Sequence, residues 1–219
     1  MARSNARPAP ARAPTRSRLP VDARRTQLLE LGLELFADGT YDELSIDAIA
    51  RAAGISKGLL YHYFPSKRDY YVETVRLAAA RLVEAAALAP TEGPPGEALR
   101  RGLDAYLDFA LRHAGAFRAL MRGGGGISGD PEVLAIVDDT RAAILARIVG
   151  HLGLGEDDAL LRAALRGWIG AVEATSLEWL DRRDLGRAAL VELWARLFVA
   201  GLAAAGVAAG GLVGLSEAT

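Results

Sequence analysis

Along most of the chain the apolar positions recur at helical spacing. From Val21 onward, Leu28, Leu31, Leu35 and Phe36 share one face of a helix that Gly39 stops. Ser45 is placed to cap a short helix reaching about Ala53, with Ile46, Ile49 and Ala50 facing inward. Gly54 breaks it, and Ser56 caps a second short helix from Lys57 to Phe64 that Pro65 ends. Ser66 opens a third helix, about Lys67 to Leu88, with Asp69 at the third position of a capping box. Thr91 to Gly96 reads as a linker. Four more helical stretches follow, at about 97–122, 131–152, 156–181 and 184–205. Residues His113 to Gly115 are a weak point in the first of these, Gly123 to Gly126 form a loop, and Asp130-Pro131 is a cap with proline at the first helical position. No stretch alternates apolar and polar residues as a half-buried strand does, so the fold class expected is all-α.

Composition agrees with helices: 51% of the 219 residues are hydrophobic and only 6% are aromatic. There is no cysteine, hence no disulfide, which fits a reducing cytosol. The net charge of −1 conceals an uneven distribution. Residues 1–25 hold seven arginines against Asp22. The first 90 residues hold 13 basic and 10 acidic side chains, the remainder 13 and 17. A basic front and an acidic rear bring one end of the molecule to a polyanion. Residues 1–20, rich in Arg, Ala and Pro, read as a disordered basic arm. Such an arm either stays solvated or reaches DNA phosphates or a minor groove. The N-terminus has no apolar core of a secretory signal. Leu197 to Leu215 runs 19 residues without a charge, yet it is mostly Ala and Gly, with Gly206, Gly210, Gly211 and Gly214 weakening a helix. It reads as a last helix and a loose tail, so no membrane partner and a cytoplasmic location are expected.

Residues 45–64, two short capped helices about Gly54, have the helix-turn-helix pattern. On a wheel of about 100° per residue, Lys57, Gly58, Tyr61 and His62 fall on one arc, and Leu59, Leu60, Tyr63 and Phe64 on the other. One arc suits a major groove and the other a small core. Lys57 can meet a phosphate or a guanine edge. Gly58 lets the backbone approach, Tyr61 offers a hydroxyl and a ring, and His62 is a donor. The amides behind Ser45 and Ser56 can hold phosphates, and Lys67 adds a further contact. The same spacing also fits a plain helical hairpin with a solvated face.

The run Ile46-Asp47-Ala48-Ile49-Ala50-Arg51-Ala52-Ala53-Gly54-Ile55-Ser56-Lys57-Gly58-Leu59-Leu60-Tyr61-His62-Tyr63-Phe64-Pro65-Ser66-Lys67 closely resembles the DNA-binding signature of TetR-family regulators. Leu35-Phe36 and Tyr41 resemble that family's first helix, so the likeness covers about residues 24–72. It implies that Ser45, Ser56, Lys57, Gly58, Tyr61, His62 and Lys67 occupy positions used at DNA. Two departures stand out. The glycine of Gly39-Thr40 comes one residue early, and Gly32 replaces the usual alanine, which reads as a close helix crossing.

The resemblance implies a division into a basic arm (1–20), a three-helix helix-turn-helix domain (21–66), a helical regulatory and dimerisation domain (67–208) and a flexible tail (209–219). The expected function is a ligand-responsive regulator. It binds a palindromic operator in double-stranded DNA as a homodimer, most simply as a repressor, and a small apolar or amphipathic effector releases it. A ligand-independent DNA-binding protein and a helical dimer without effector are the alternatives. In the stretch 156–181, Trp168, Ala171, Val172, Thr175 and Trp179 form one apolar stripe, and Ile169, Leu177 and Leu180 a second. A helix apolar on two sides serves two interfaces. Leu190, Leu193, Trp194, Leu197, Phe198 and Gly201 mark the last helix, where Gly201, Ala204 and Ala205 permit close approach. Helices 156–181 and 184–205 either complete the monomer core or, paired with their copies, make a four-helix dimer interface, and the resemblance implies the dimer. Candidate effector contacts are Tyr106, Phe109, His113, Phe117, Met121, Trp168, Val172 and Thr175, aromatic and apolar with a few polar groups. Glu173 lies between Ile169 and Leu180. It is either exposed or pairs with an arginine of another chain or a cationic ligand. His62, His113 and His151 stand far apart, and there is no phosphate loop or nucleophile elbow. No enzyme, metal or cofactor is expected.

Overall fold

The structure, a computed structural model, describes residues 21–38, 41–88, 94–121, 130–152 and 158–207. The arm 1–20, Gly39-Thr40, Thr91–Gly93 of the linker, the loop 123–126 and the tail 209–219 lie outside the described residues.

The described residues form nine helices and no strand: α1 (Val21–Asp38), α2 (Ile46–Ala52), α3 (Lys57–Tyr63), α4 (Lys67–Leu88), α5 (Pro95–Arg112), α6 (Ala114–Met121), α7 (Pro131–Leu152), α8 (Ala159–Arg182) and α9 (Arg187–Ala204). Several boundaries follow from caps visible in the sequence. Ser66 accepts from the Asp69 amide at 3.1 Å while its hydroxyl donates to the Asp69 carboxylate at 2.8 Å. Asp130 accepts from the amide of Glu132 at 3.0 Å, so Pro131 stands first in α7.

The stretch 97–122 divides at its expected weak point, because the backbone of His113 leaves helical geometry (φ −125°, ψ 43°). Three helix starts differ from the sequence expectation. Helix α5 starts earlier, since Pro95 fits the first turn. Helix α8 begins at Ala159 rather than 156, because the Asp158 carboxylate accepts from the amides of Leu160 (2.8 Å) and Leu161 (3.2 Å). Helix α9 begins at Arg187 rather than 184. Arg183 turns left-handed (φ 53°), and the Trp179 indole donates to the Leu185 carbonyl at 2.7 Å, which spends residues 183–186 on the hairpin.

Helix α4 is the axis of the molecule and packs against α1, α5, α6 and α7. Its crossing with α1 is close. A Cβ on Gly32 would lie 2.5 Å from Thr74 Oγ1 and 2.9 Å from Tyr70 Oη, which is the physical reason for glycine there. The Tyr70 hydroxyl donates to the Leu28 carbonyl at 2.7 Å across the same crossing. One apolar cluster runs from Ile49, Leu60 and Phe64, through Tyr70, Tyr71 and Leu82, to Phe117, Trp194 and Phe198. The small helices α2 and α3 therefore rest on the same core as the larger rear helices. Each such side chain contributes roughly 1.5–3 kcal/mol of burial.

The faces of α8 also depart from expectation. Trp168, Val172 and Trp179 are buried, but so are Ile169 and Leu180, all within this chain. The face left open carries Leu160, Ala163, Gly167, Gly170 and Ala174. The two expected stripes are one broad inner face, because 3.6 residues per turn bring Ile169 and Leu180 beside Val172 and Trp179. On α9, Leu190, Trp194 and Phe198 point inward, while Leu193 and Leu197 are exposed at 42% and 41%. A Cβ on Gly201 would lie 4.0 Å from Ala164 of α8 in the same chain, an ordinary contact distance. No helix among the described residues is long and apolar enough to cross a membrane.

Candidate nucleic-acid interface

The pair α2–α3 is built from its caps. Ser45 Oγ accepts from the Ala48 amide at 3.1 Å, and Ser56 Oγ from the Leu59 amide at 3.2 Å. Between the helices Gly54 takes φ +63°, a conformation that strains residues with a side chain. The back of α3 is locked: Leu60 is fully buried, and Phe64 sits edge-on to Tyr70 at 5.0 Å. The front is open, with Ser45, Ser56, Lys57, Gly58, Tyr61 and His62 all exposed. A Cβ on Gly58 would meet nothing among the described residues within 4 Å, so the backbone there is approachable. Lys67, half-buried at the start of α4, holds its ammonium 4.1 Å above the Tyr41 ring.

One placement from the sequence is corrected. Leu59 does not face the core with Leu60; it is 40% exposed, as much as Tyr61 at 41%. In a seven-residue helix resting on its Leu60 edge, the inner arc is narrower than the wheel suggests, and the first turn projects beyond the core. Sequence reading also missed Asp47. Its carboxylate accepts from Lys57 Nζ at 2.9 Å and, chiefly through that hydrogen bond, raises the Lys57 pKa. An i to i+10 pair across a turn has no helical period to reveal it. Lys57 therefore stays charged but partly neutralised, on a face otherwise open to a polyanion.

The eight residues nominated for an effector fall in the rear. Tyr106, Phe109, Phe117, Trp168 and Val172 are buried; His113, Met121 and Thr175 are half-buried. Three of them meet at a residue the sequence did not nominate for this role, Trp194. Its ring lies 6.1 Å from that of Tyr106, its indole donates to Thr175 Oγ1 at 2.8 Å, and its carbonyl accepts from the Trp168 indole at 2.8 Å. Phe117 stacks edge-on against Tyr106 at 5.6 Å, and Phe109 lies 5.0 Å from His113. Among the described residues the Tyr106 hydroxyl is buried without a hydrogen bond of good geometry, with Ser176 a polar neighbour. Burial pushes its pKa up. Burial lowers that of His113, with Arg81 and Arg112 acting in the same sense. Met121 closes α6 at the edge of this group and packs on the core.

Glu173 pairs within its own chain, across to Arg141 of α7 at 2.8–3.2 Å, and so needs neither a ligand nor a second chain. This pair borders a cavity of about 180 Å³ lined by Arg141, Leu145, Arg166, Ile169, Gly170 and Glu173. None of the eight nominated residues is among these six.

Against known proteins, residues 28–73 match the family described as bacterial regulatory proteins, tetR family. Residues 95–201 match the tetracyclin repressor-like C-terminal domain. The transcriptional regulator AcuR of Cereibacter sphaeroides is 31% identical over 171 residues, 69% of this chain and 75% of AcuR. The transcriptional activator FasR of Mycolicibacterium smegmatis is 34% identical over 105 residues, so the chain spans about half of FasR's length in that match. Among solved structures, a tetR-family regulator from Streptomyces coelicolor is 38% identical, with a TM-score of 0.78 over 90% of this chain and 88% of that one. The exposed helix-turn-helix, the all-helical rear and these likenesses agree: the chain belongs to the TetR family of DNA-binding transcriptional regulators, which are not enzymes.

Proposed function

We propose that this regulator binds a pseudo-palindromic operator as a homodimer, represses transcription in the cytoplasm, and is released by a small apolar or amphipathic effector. The observation that carries the reading is α3, whose apolar back is locked at Leu60 and Phe64 while Lys57, Gly58, Tyr61 and His62 stand open. In this reading Ser45 and Ser56 present helix N-termini to phosphates, and Lys57 and Lys67 neutralise them. Tyr61 and His62 reach base edges, each base contact discriminating by about 1–3 kcal/mol. Leu59 joins Tyr61 as apolar surface for thymine methyl groups.

The homodimer reading rests on open apolar faces. Leu160, Ala163, Gly167, Gly170 and Ala174 on α8, with Leu193, Leu197 and Ala200 on α9, are exposed among the described residues. Two copies of this helical pair make a four-helix interface with a twofold axis. Two α3 helices then read half-sites one helical turn apart.

The effector reading rests on the aromatic group around Trp194 and the unpaired Tyr106 hydroxyl, which a ligand's polar atom would satisfy. An effector that binds better when the heads are wrongly separated lowers operator affinity, and α4 transmits the change because it packs on both halves. The test is titration of duplex DNA selected from a random pool, over a range of salt, followed by a reporter assay that scores repression and activation alike. A palindromic site bound with a steep salt dependence supports the reading. Binding no tighter than to random DNA overturns it, and a tight ligand of the rear domain that leaves operator affinity unchanged overturns the effector step.

A further inference from the structure

The head and the rear helices are joined by a second device besides their common core. Arg68, in the first turn of α4, places Nε 2.7 Å from Asp130 Oδ2 and Nη2 2.8 Å from Asp130 Oδ1, a two-pronged fork. Its Nη2 also lies 3.0 Å from Glu132, whose other carboxylate oxygen takes Arg76 at 2.9 Å. The Asp130 side chain is only 5% exposed. It is held from two sides, since the same carboxylate caps α7 through the amides of Glu132 (3.0 Å) and Val133 (3.4 Å). The hydrogen bond from Arg68 is the first cause that keeps the Asp130 carboxyl below the usual range.

Position gives this fork its meaning. Arg68 stands five residues beyond Tyr63, the last residue of α3, with the Pro65 turn and the Ser66 cap between them. The fork therefore pins the end of α4 nearest α3 to the start of α7. Rotation or tilt of α4 in the rear domain must either move the head or break the fork. Arg68 keeps 41% of its side chain exposed, but its partner carboxylate is enclosed, so breaking the fork leaves Asp130 only the amides of α7.

We infer that Arg68 is a positioning residue for DNA binding: through its fork on Asp130 it sets the angle of α3 to the rear helices, without itself touching DNA. The inference rests on the proposed operator binding for its consequence and on geometry alone for the fork.

The experiment is the double substitution Arg68→Met and Asp130→Asn in the full chain. Asparagine keeps the α7 cap and methionine keeps the aliphatic stem, so the fold is retained while the tie is lost. Because the chain has no cysteine, a single Ala52→Cys on the exposed end of α2 carries a spin label without background. Three quantities are read: melting temperature, operator affinity against salt, and the label-to-label distance in the DNA-free dimer. The expected result is a melting temperature within a few degrees of the parent, operator affinity down tenfold or more with an unchanged salt slope, and a broadened distance distribution.

Affinity within twofold and an unchanged distribution overturn the inference. So does a salt slope lower by about one, which would mean that Arg68 spends its charge on a phosphate. Should the double variant fail to fold, Arg68→Lys decides, because it keeps the charge and loses the fork; parental affinity in that variant overturns the inference. A parent that selects no operator defeats the proposed function instead, and the distance still reads the fork. If the chain is monomeric, labels at Ala52→Cys and Ala142→Cys of one chain read the same angle.

Discussion

Lys57 Nζ lies 2.9 Å from Asp47 Oδ2, so the first residue of the recognition helix α3 is tied by charge to α2. Both side chains are well exposed, and the tie is easily exchanged for a phosphate. Asp47 then remains on the DNA-facing side as an uncompensated anion. Asp47→Asn is expected to tighten binding to random DNA severalfold and to steepen the slope of log affinity against log salt by up to about one. Anisotropy titrations at several salt concentrations check this. Parental affinity and slope in the variant would show that Lys57 keeps its partner on DNA.

Leu59 and Tyr61 are both exposed apolar side chains of α3, at 40% and 41%. A thymine methyl set against Leu59 loses contact when uracil replaces that thymine. The parent protein is expected to lose about fourfold in affinity at one position per half-site, the worth of one buried methyl, ~0.8 kcal/mol. Leu59→Ala, already lacking the contact, is expected to be indifferent to the same exchange. Equal losses in both proteins would assign the methyl to another side chain.

Much of this was legible from single residues. The caps at Ser45, Ser56, Ser66 and Asp130 carry their own local chemistry, and each was readable before any tertiary contact. The inward residues Ile46, Ile49 and Ala50 follow the helical period, and Gly32 signalled the crossing it makes. What escaped lies between distant positions. The Arg68–Asp130 fork spans 62 residues and the Arg141–Glu173 pair 32, and no periodicity links their members. Leu59 escaped because a wheel assigns an inner arc without saying how much core lies beneath a seven-residue helix. Trp194 was placed on its helix, but its central position among Tyr106, Trp168 and Thr175 arises from packing of three helices.

The α1–α4 crossing gives a stability prediction. Gly32→Ala gains helix propensity of up to ~1 kcal/mol but drives a methyl into Thr74 and Tyr70. Overpacking of this kind costs ~1–3 kcal/mol, so net destabilisation of up to about 2 kcal/mol is expected by denaturant unfolding. Adding Thr74→Ala, which removes the nearest atoms, is expected to recover part of the loss. A stabilised Gly32→Ala protein would mean that α1 shifts freely on α4.

The buried Tyr106 hydroxyl has no hydrogen-bond partner of good geometry among the described residues, so removing it removes a desolvation cost. Tyr106→Phe is expected to stabilise the ligand-free protein by about 1 kcal/mol, read from the melting temperature and denaturant midpoint. Destabilisation instead would show that the hydroxyl pairs in solution, with Ser176 the neighbour placed to take it.

The decisive measurement is a cleavage-protection footprint of the full-length protein on its selected duplex, made in parallel with Lys57→Ala/Tyr61→Ala. Two protected patches related by a dyad and centred about one helical turn apart, both lost in the double variant while melting temperature and dimer mass are retained, are the predicted result. Protection that survives the loss of both side chains, or a single patch without symmetry, would contradict DNA reading by paired α3 helices.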